Sequence, residues 1–185
     1  MTILTYAAVL LIAYLLGAFP AGYLTAKIIR RVDVTAIGSG HTGGTNVFRS
    51  AGPVAGGITI VLDLAKGYAA AAIAQLLVPD APVLIALAGT LAILGHNYSI
   101  FLGFRGGVGT MATLGVALAL MPISAGVAVL FGIVIILISR YTSLGSLTVA
   151  ALLPLACLAG ALLGWCGCPC PRASAGRRAA RGSAP

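Results

Sequence analysis

Glutamate is absent from this chain of 185 residues, and acid enters only as Asp33, Asp63 and Asp80. Charged residues make up 8% of it. A soluble domain carries about a quarter, so a water-exposed globule of ordinary composition is excluded. With no Glu and only two histidines, His41 and His96, there is no Ser-His-Asp order that suggests a nucleophilic triad. Cysteine is missing before position 157, and Cys166, Cys168 and Cys170 follow in a Cys-x-Cys-x-Cys run with neither histidine near in sequence. Zinc sites usually space their ligands more widely and need a fourth, so no metal is expected. Four of the eleven Lys and Arg lie in the last fourteen residues. The other seven, against three Asp, leave +4, and nothing points to nucleic acid.

What is abundant is apolar surface: 60% hydrophobic residues and a mean hydropathy of +1.10. The chain therefore reads as an integral membrane protein, all-α, a polytopic transmembrane helix bundle of about six spans with Gly-rich cytoplasmic loops. One domain is expected over 1–164. Residues 165–185, rich in Cys, Arg, Pro and Ala, are expected to be a disordered tail.

The first run, residues 2–26, has no charge, and no basic segment precedes it as in a signal peptide. Lys27, Arg30 and Arg31 follow at once, which puts residues 27–52 in the cytoplasm and the N-terminus outside. A second helix is expected over 54–78, with Pro53 in its first turn. A third covers 83–102, after the turn at Pro79-Asp80. The 29 residues from 111 to 139 exceed one ordinary span, and Met121-Pro122 divides them into helices at about 110–120 and 123–139. This hairpin returns Arg140 to the cytoplasmic side. The last helix is expected over 147–164.

Between the spans lie polar, glycine-dense segments. Residues 38–49 read Gly-Ser-Gly-His-Thr-Gly-Gly-Thr-Asn-Val-Phe-Arg. Glycines let a ligand approach the backbone, whose successive N–H groups can cradle an anion. Ser39, Thr42, Thr45 and Asn46 add donors, and Arg49 adds a charged fork suited to phosphate. The plainer alternative is a flexible connector. A second such loop, 103–110, carries Arg105, and a polar turn at 140–146 carries Ser143. Asp63 and Lys66 are three apart, on one face of the second helix, and costly inside a membrane. They are either a structural ion pair or part of a site. His96 and Asn97 end the third helix on the same side as the loops. His96 is either hydrogen-bonded within the bundle or functional.

Three ordered motifs carry a resemblance over about residues 5–160: Gly38-Ser39-Gly40 with Thr45-Asn46-x-x-Arg49; Leu62-Asp63-Leu64-Ala65-Lys66-Gly67; and Gly95-His96-Asn97 with Phe101 to Gly107 and Gly109. Together with Arg140-Tyr141-x-Ser143-Leu144 they resemble the bacterial acyl-phosphate:glycerol-3-phosphate acyltransferases. The resemblance implies seven helices in the family and cytoplasmic loops that build the site. It implies acyl transfer from acyl phosphate to the 1-hydroxyl of glycerol 3-phosphate, giving 1-acylglycerol 3-phosphate and phosphate in the first step of phospholipid synthesis. No cofactor is expected. The expected location is the bacterial inner membrane, with the active site on the cytoplasmic face, and a monomer is expected. Ser39, Arg49 and His96 become catalytic candidates. Gly38, Gly40, Thr45, Asn46, Asp63, Lys66, Gly67, Asn97, Arg105, Gly106, Gly107, Gly109 and Ser143 become candidates for holding substrate.

The sequence departs from the family at His41 and Gly44 (usually Asn and Ala), at Ser99 (usually Pro) and at Val108 (usually Lys). Residues 165–185 show no counterpart of the family's final helix. A transporter or binding protein for a small phosphorylated anion, or a weakened family member, are the alternative functions.

Overall fold

The computed structural model describes residues 3–162, and every named secondary-structure element among them is a helix. The tail expected to be disordered lies outside the described residues. The order is α1 (Ile3–Ala18), α2 (Ala21–Arg30), α3 (Gly44–Ala51), α4 (Pro53–Leu77), α5 (Pro82–Asn97), α6 (Thr110–Leu120), α7 (Pro122–Ser139) and α8 (Thr142–Leu162). A short 3-10 turn covers Ile100–Leu102.

The expected first helix runs on to Arg30 but is broken at Phe19-Pro20. Pro20 lacks an N–H and cannot continue the ladder. The expected third helix stops at Asn97 rather than 102. There the Tyr14 hydroxyl donates to the Tyr98 carbonyl at 2.9 Å, and the Ser99 hydroxyl donates to the Ala18 carbonyl. The main chain turns instead, with Leu102 and Phe104 amides donating to the Ser99 carbonyl. The turn expected at 140–146 is shorter, because α8 already begins at Thr142. The division at Met121-Pro122 is found where the proline places it.

The segment 38–49 is a loop only in its first half. Gly44–Ala51 forms α3, burying Val47 and Ala51 on one face against Ala26, Val34 and Ala55. The four-residue spacing of Val47 and Ala51 is helical, a signal hidden by the surrounding glycines. Arg49 therefore projects from a helix, not from a loop.

Small residues set the helix crossings, as expected where lipid gives no hydrophobic drive between helices. A Cβ on Gly67 would lie 2.2 Å from the Ala112 carbonyl oxygen, and one on Gly115 would lie 2.1 Å from that of Leu64, so α4 and α6 touch backbone to backbone. Gly17 and Gly95 bring α1 and α5 together in the same way. The buried core is accordingly rich in alanine, while Leu4, Leu76, Leu130 and Leu137 point outward toward lipid. Thr25 and Thr59 share a buried 2.6 Å hydrogen bond that ties α2 to α4.

Candidate active site

Asn46, in the first turn of α3, organises the loop before it. Its Nδ2 lies 2.8 Å from the His41 carbonyl and 3.1 Å from those of Val34 and Ile37, and its Oδ1 accepts from the Ser39 amide at 3.3 Å. Gly38 has φ +64°, and a Cβ there would strike Asn46 Oδ1, so glycine is required on both counts. Upstream, the Thr35 hydroxyl and amide donate to Asp33 at 2.6 and 2.9 Å. These hydrogen bonds, the hydroxyl first, hold the Asp33 carboxyl below the usual carboxylate range.

The second glycine loop clasps the first. The Thr42 amide donates to the Gly106 carbonyl at 3.2 Å, and His41 Nδ1 reaches the same oxygen at 3.3 Å. That oxygen can only accept, so the contact selects the form of His41 with a proton on Nδ1. The Gly107 amide donates to the His96 carbonyl at 3.1 Å. A Cβ on Gly107 would lie 2.1 Å from His96 Nε2, so this loop lies flat on the imidazole. Between the loops opens a cleft of about 590 Å³, lined by Thr35, Ser39, Gly40, His41, Asn97, Tyr98, Phe104, Arg105, Gly106, Gly107 and Val108.

Behind the cleft is a buried charge cluster. Asp63 Oδ1 lies 3.0 Å from Lys66 Nζ and 3.3 Å from His96 Nδ1. Among the described residues Asp63 Oδ1 has no directed hydrogen-bond partner, so its contacts with Lys66 and His96 are close approaches rather than well-aligned hydrogen bonds. Lys66 also donates to the Phe19 carbonyl at 2.8 Å, at the break between α1 and α2. The structural reading of the Asp63 and Lys66 pair is thus present in the geometry, with His96 added to it.

Of the residues singled out from sequence, Ser39, Gly40, Asn97, Arg105, Gly106 and Gly107 line the cleft. His96, Asp63 and Lys66 form its backing, and Gly109 caps α6 with φ +86° against the Asn97 amide. Asn97 Oδ1 is buried without a hydrogen-bond partner among the described residues. Gly38 and Asn46 shape the loop, and Gly67 packs α4 on α6. Thr45 and Arg49 are exposed on α3, and Ser143 is exposed in the first turn of α8; none of the three lines the cleft. Thr35, Tyr98 and Phe104 line it without having been singled out. For Thr35 the Asp-x-Thr pattern of a side-chain turn was a signal. For Phe104 there was none beyond its place in the third motif, and for Tyr98 there was none.

The glycerol-3-phosphate acyltransferase family model matches residues 7–173. The chain belongs to this family. It is 43% identical over 153 residues to the glycerol-3-phosphate acyltransferase of Syntrophomonas wolfei, covering 83% of this chain and 77% of that one. It is 44% identical over 146 residues to that of Carboxydothermus hydrogenoformans, covering 78% and 73%. Among solved structures it is similar to PlsY, an integral membrane glycerol 3-phosphate acyltransferase, in its glycerol 3-phosphate form. There the TM-score is 0.78 at 34% identity, covering 88% of this chain and 79% of that one. The lysophosphatidic acid form of PlsY matches with TM-score 0.76 at 35% identity, covering 86% and 78%. An acyltransferase family embedded in the membrane accounts for both the apolar helices and the polar cleft.

Proposed function

We propose that this chain transfers a fatty acyl group from acyl phosphate to the 1-hydroxyl of glycerol 3-phosphate, releasing 1-acylglycerol 3-phosphate and phosphate. The observation that carries the reading is the cleft where two glycine-rich segments meet, offering Ser39, Asn97 and Arg105 to an anion. It fits family membership and a relative solved in both glycerol 3-phosphate and lysophosphatidic acid forms.

Acyl phosphate is already activated, so positioning and charge stabilisation suffice. The glycerol hydroxyl oxygen attacks the acyl carbonyl, the bond from that carbon to the phosphate oxygen breaks, and the hydroxyl proton passes to a substrate phosphate. Ser39 and Asn97 orient the substrates. Arg105 neutralises phosphate charge within the cleft, and Arg49, which lies outside its lining, meets the part of a substrate that extends toward α3. His96, gripped by Asp63, holds the second loop in register rather than acting as the base. Asn46 and Gly38 act through loop shape.

The chain works in this reading as a monomer in the bacterial inner membrane, with the cleft facing the cytoplasm and the acyl chain lying between helices. Labelled glycerol 3-phosphate and acyl phosphate, given to the purified chain in detergent, are expected to yield labelled 1-acylglycerol 3-phosphate. Absence of product would overturn the reading, and uptake only between two compartments would favour a transporter. In a Cys-free background, Ile37→Cys and Tyr141→Cys are expected to resist an impermeant reagent added to intact cells, while Pro79→Cys reacts. Labelling of Ile37→Cys from outside would reverse the orientation.

A further inference from the structure

We propose that His41 is a second cation of the cleft, contacting a substrate phosphate as its imidazolium. This rests on the reading of the cleft as a phosphate site and names a further ligand within it.

Among the residues lining the cleft, Arg105 is the one permanent cation and His41 the one other side chain that can become positive. The nearby lysine is not available, since Lys66 is held by Asp63 and by the Phe19 carbonyl. A dianionic phosphate facing a single guanidinium is left with uncompensated charge, and His41 stands beside it.

The anchoring of the ring decides how it can serve. Nδ1 is 3.3 Å from the Gly106 carbonyl, so it carries the proton there. In the neutral ring Nε2 then presents a bare lone pair, which repels a phosphate oxygen. Protonation at Nε2 turns that repulsion into a charge-assisted hydrogen bond. Phosphate binding therefore draws one proton from water onto His41, and protonation tightens binding by the same factor. The side chain is exposed, so substrate can reach it.

The charged and titratable groups around His41 are few. Arg105 and Tyr98 face the cleft from the opposite loop and the end of α5. Asp33 is tied to the cleft residue Thr35 on the segment before His41. His96 and Asp63 lie behind Gly107 on α5 and α4. The bound phosphate dianion is the nearest counter-charge.

The test is KM for glycerol 3-phosphate, and separately for acyl phosphate, at pH 6 and pH 8.5 for the parent, His41→Gln and His41→Lys. The substrates' own ionisation is common to all three and cancels in the ratio. At pH 6, His41→Gln is expected to raise one KM about tenfold, the low end for a charge-assisted bond. That ratio should shrink toward one at pH 8.5, where a histidine is ordinarily neutral. His41→Lys should keep its KM low at both pH values, and the effect should fall on KM more than on kcat. The substrate whose KM moves identifies the phosphate. Equal KM values for parent and His41→Gln at pH 6, or a loss confined to kcat, overturn the proposal. If the parent transfers no acyl group, the functional reading fails instead. Calorimetric binding of glycerol 3-phosphate and of inorganic phosphate to parent and His41→Gln at pH 6 then decides for His41: weaker binding by the variant supports it, while equal or absent binding overturns it.

Discussion

Lys66 on α4 donates a 2.8 Å hydrogen bond to the carbonyl of Phe19, the residue at which α1 has just stopped. Pro20 supplies no N–H and breaks the helical ladder there, and the ammonium adds a second donor, from another helix, to the Phe19 oxygen that already accepts from the Ala21 amide. The same ammonium lies 3.0 Å from Asp63, which in turn touches His96.

Removing Lys66 should therefore cost stability. Lys66→Met leaves Asp63 without its cation and takes from the Phe19 carbonyl one of its two donors, the other being the Ala21 amide. Breaking a buried pair from one side costs roughly 3–5 kcal/mol. Thermal unfolding in detergent should show a large drop in Tm, partly recovered in Lys66→Met with Asp63→Asn. An unchanged Tm in the single variant would remove the cluster from the stabilising contacts.

Gly107→Ala should injure the cleft more than the bundle. Its new methyl would lie 2.1 Å from His96 Nε2, so the loop must lift off the ring. Overpacking costs about 1–3 kcal/mol. Expressed through the binding-competent loop, that is roughly a 5- to 150-fold loss in kcat/KM. Tm should move little, because the loop and not a helix crossing absorbs the shift. Parent-like kinetics would show that the close approach has no bearing on substrate.

Arg49→Ala should weaken transfer without unfolding the chain. Arg49 is exposed on α3 and forms no ion pair among the described residues. Losing a charge-assisted phosphate contact costs about 1.5–3 kcal/mol, or roughly 10- to 150-fold in kcat/KM. Arg49→Lys should recover part of this, since a point charge lacks the fork. Unchanged turnover at limiting and saturating substrate would separate Arg49 from the chemistry.

Val108→Lys should lower the KM for glycerol 3-phosphate. Val108 is 69% exposed on the lip of the cleft, so a lysine there fits without displacing packed atoms. The gain should fade as salt rises, because exposed charges are screened over about 8–10 Å near physiological strength. It should be larger in the His41→Gln background than in the parent. A rise in KM in both backgrounds would mean that the cleft already holds as much positive charge as the substrates tolerate.

Much of this was legible in the sequence because membrane helices announce themselves by length and apolarity. The break at Met121-Pro122 and the first turn at Pro53 follow from proline alone. The pairing of Asp63 with Lys66 follows from helical periodicity. What was hidden is tertiary. Nothing local says that Lys66 turns toward Phe19, that Ser99 ends a helix by bonding to α1, or that His96 is shared between Asp63 and the underside of Gly107. The helix α3 was obscured for the opposite reason. The glycines before it, Gly44 and its own polar residues argue for a loop, and only packing of Val47 and Ala51 on α2 and α4 selects the helix.

The eleven residues of α6 and the eighteen of α7 start from one turn at Met121. At 1.5 Å per residue they extend about 16 Å and about 27 Å, so α6 is too short to cross a hydrocarbon core of about 30 Å by itself. The backbone ahead of it is the loop that lines the cleft with Arg105, Gly106, Gly107 and Val108. Lipid offers no hydrogen bonds, so irregular backbone beside a short helix has to find its partners within the protein, as the Gly107 amide does at the His96 carbonyl. The clasp between the two loops is thus also what lets so short a helix serve in a bilayer.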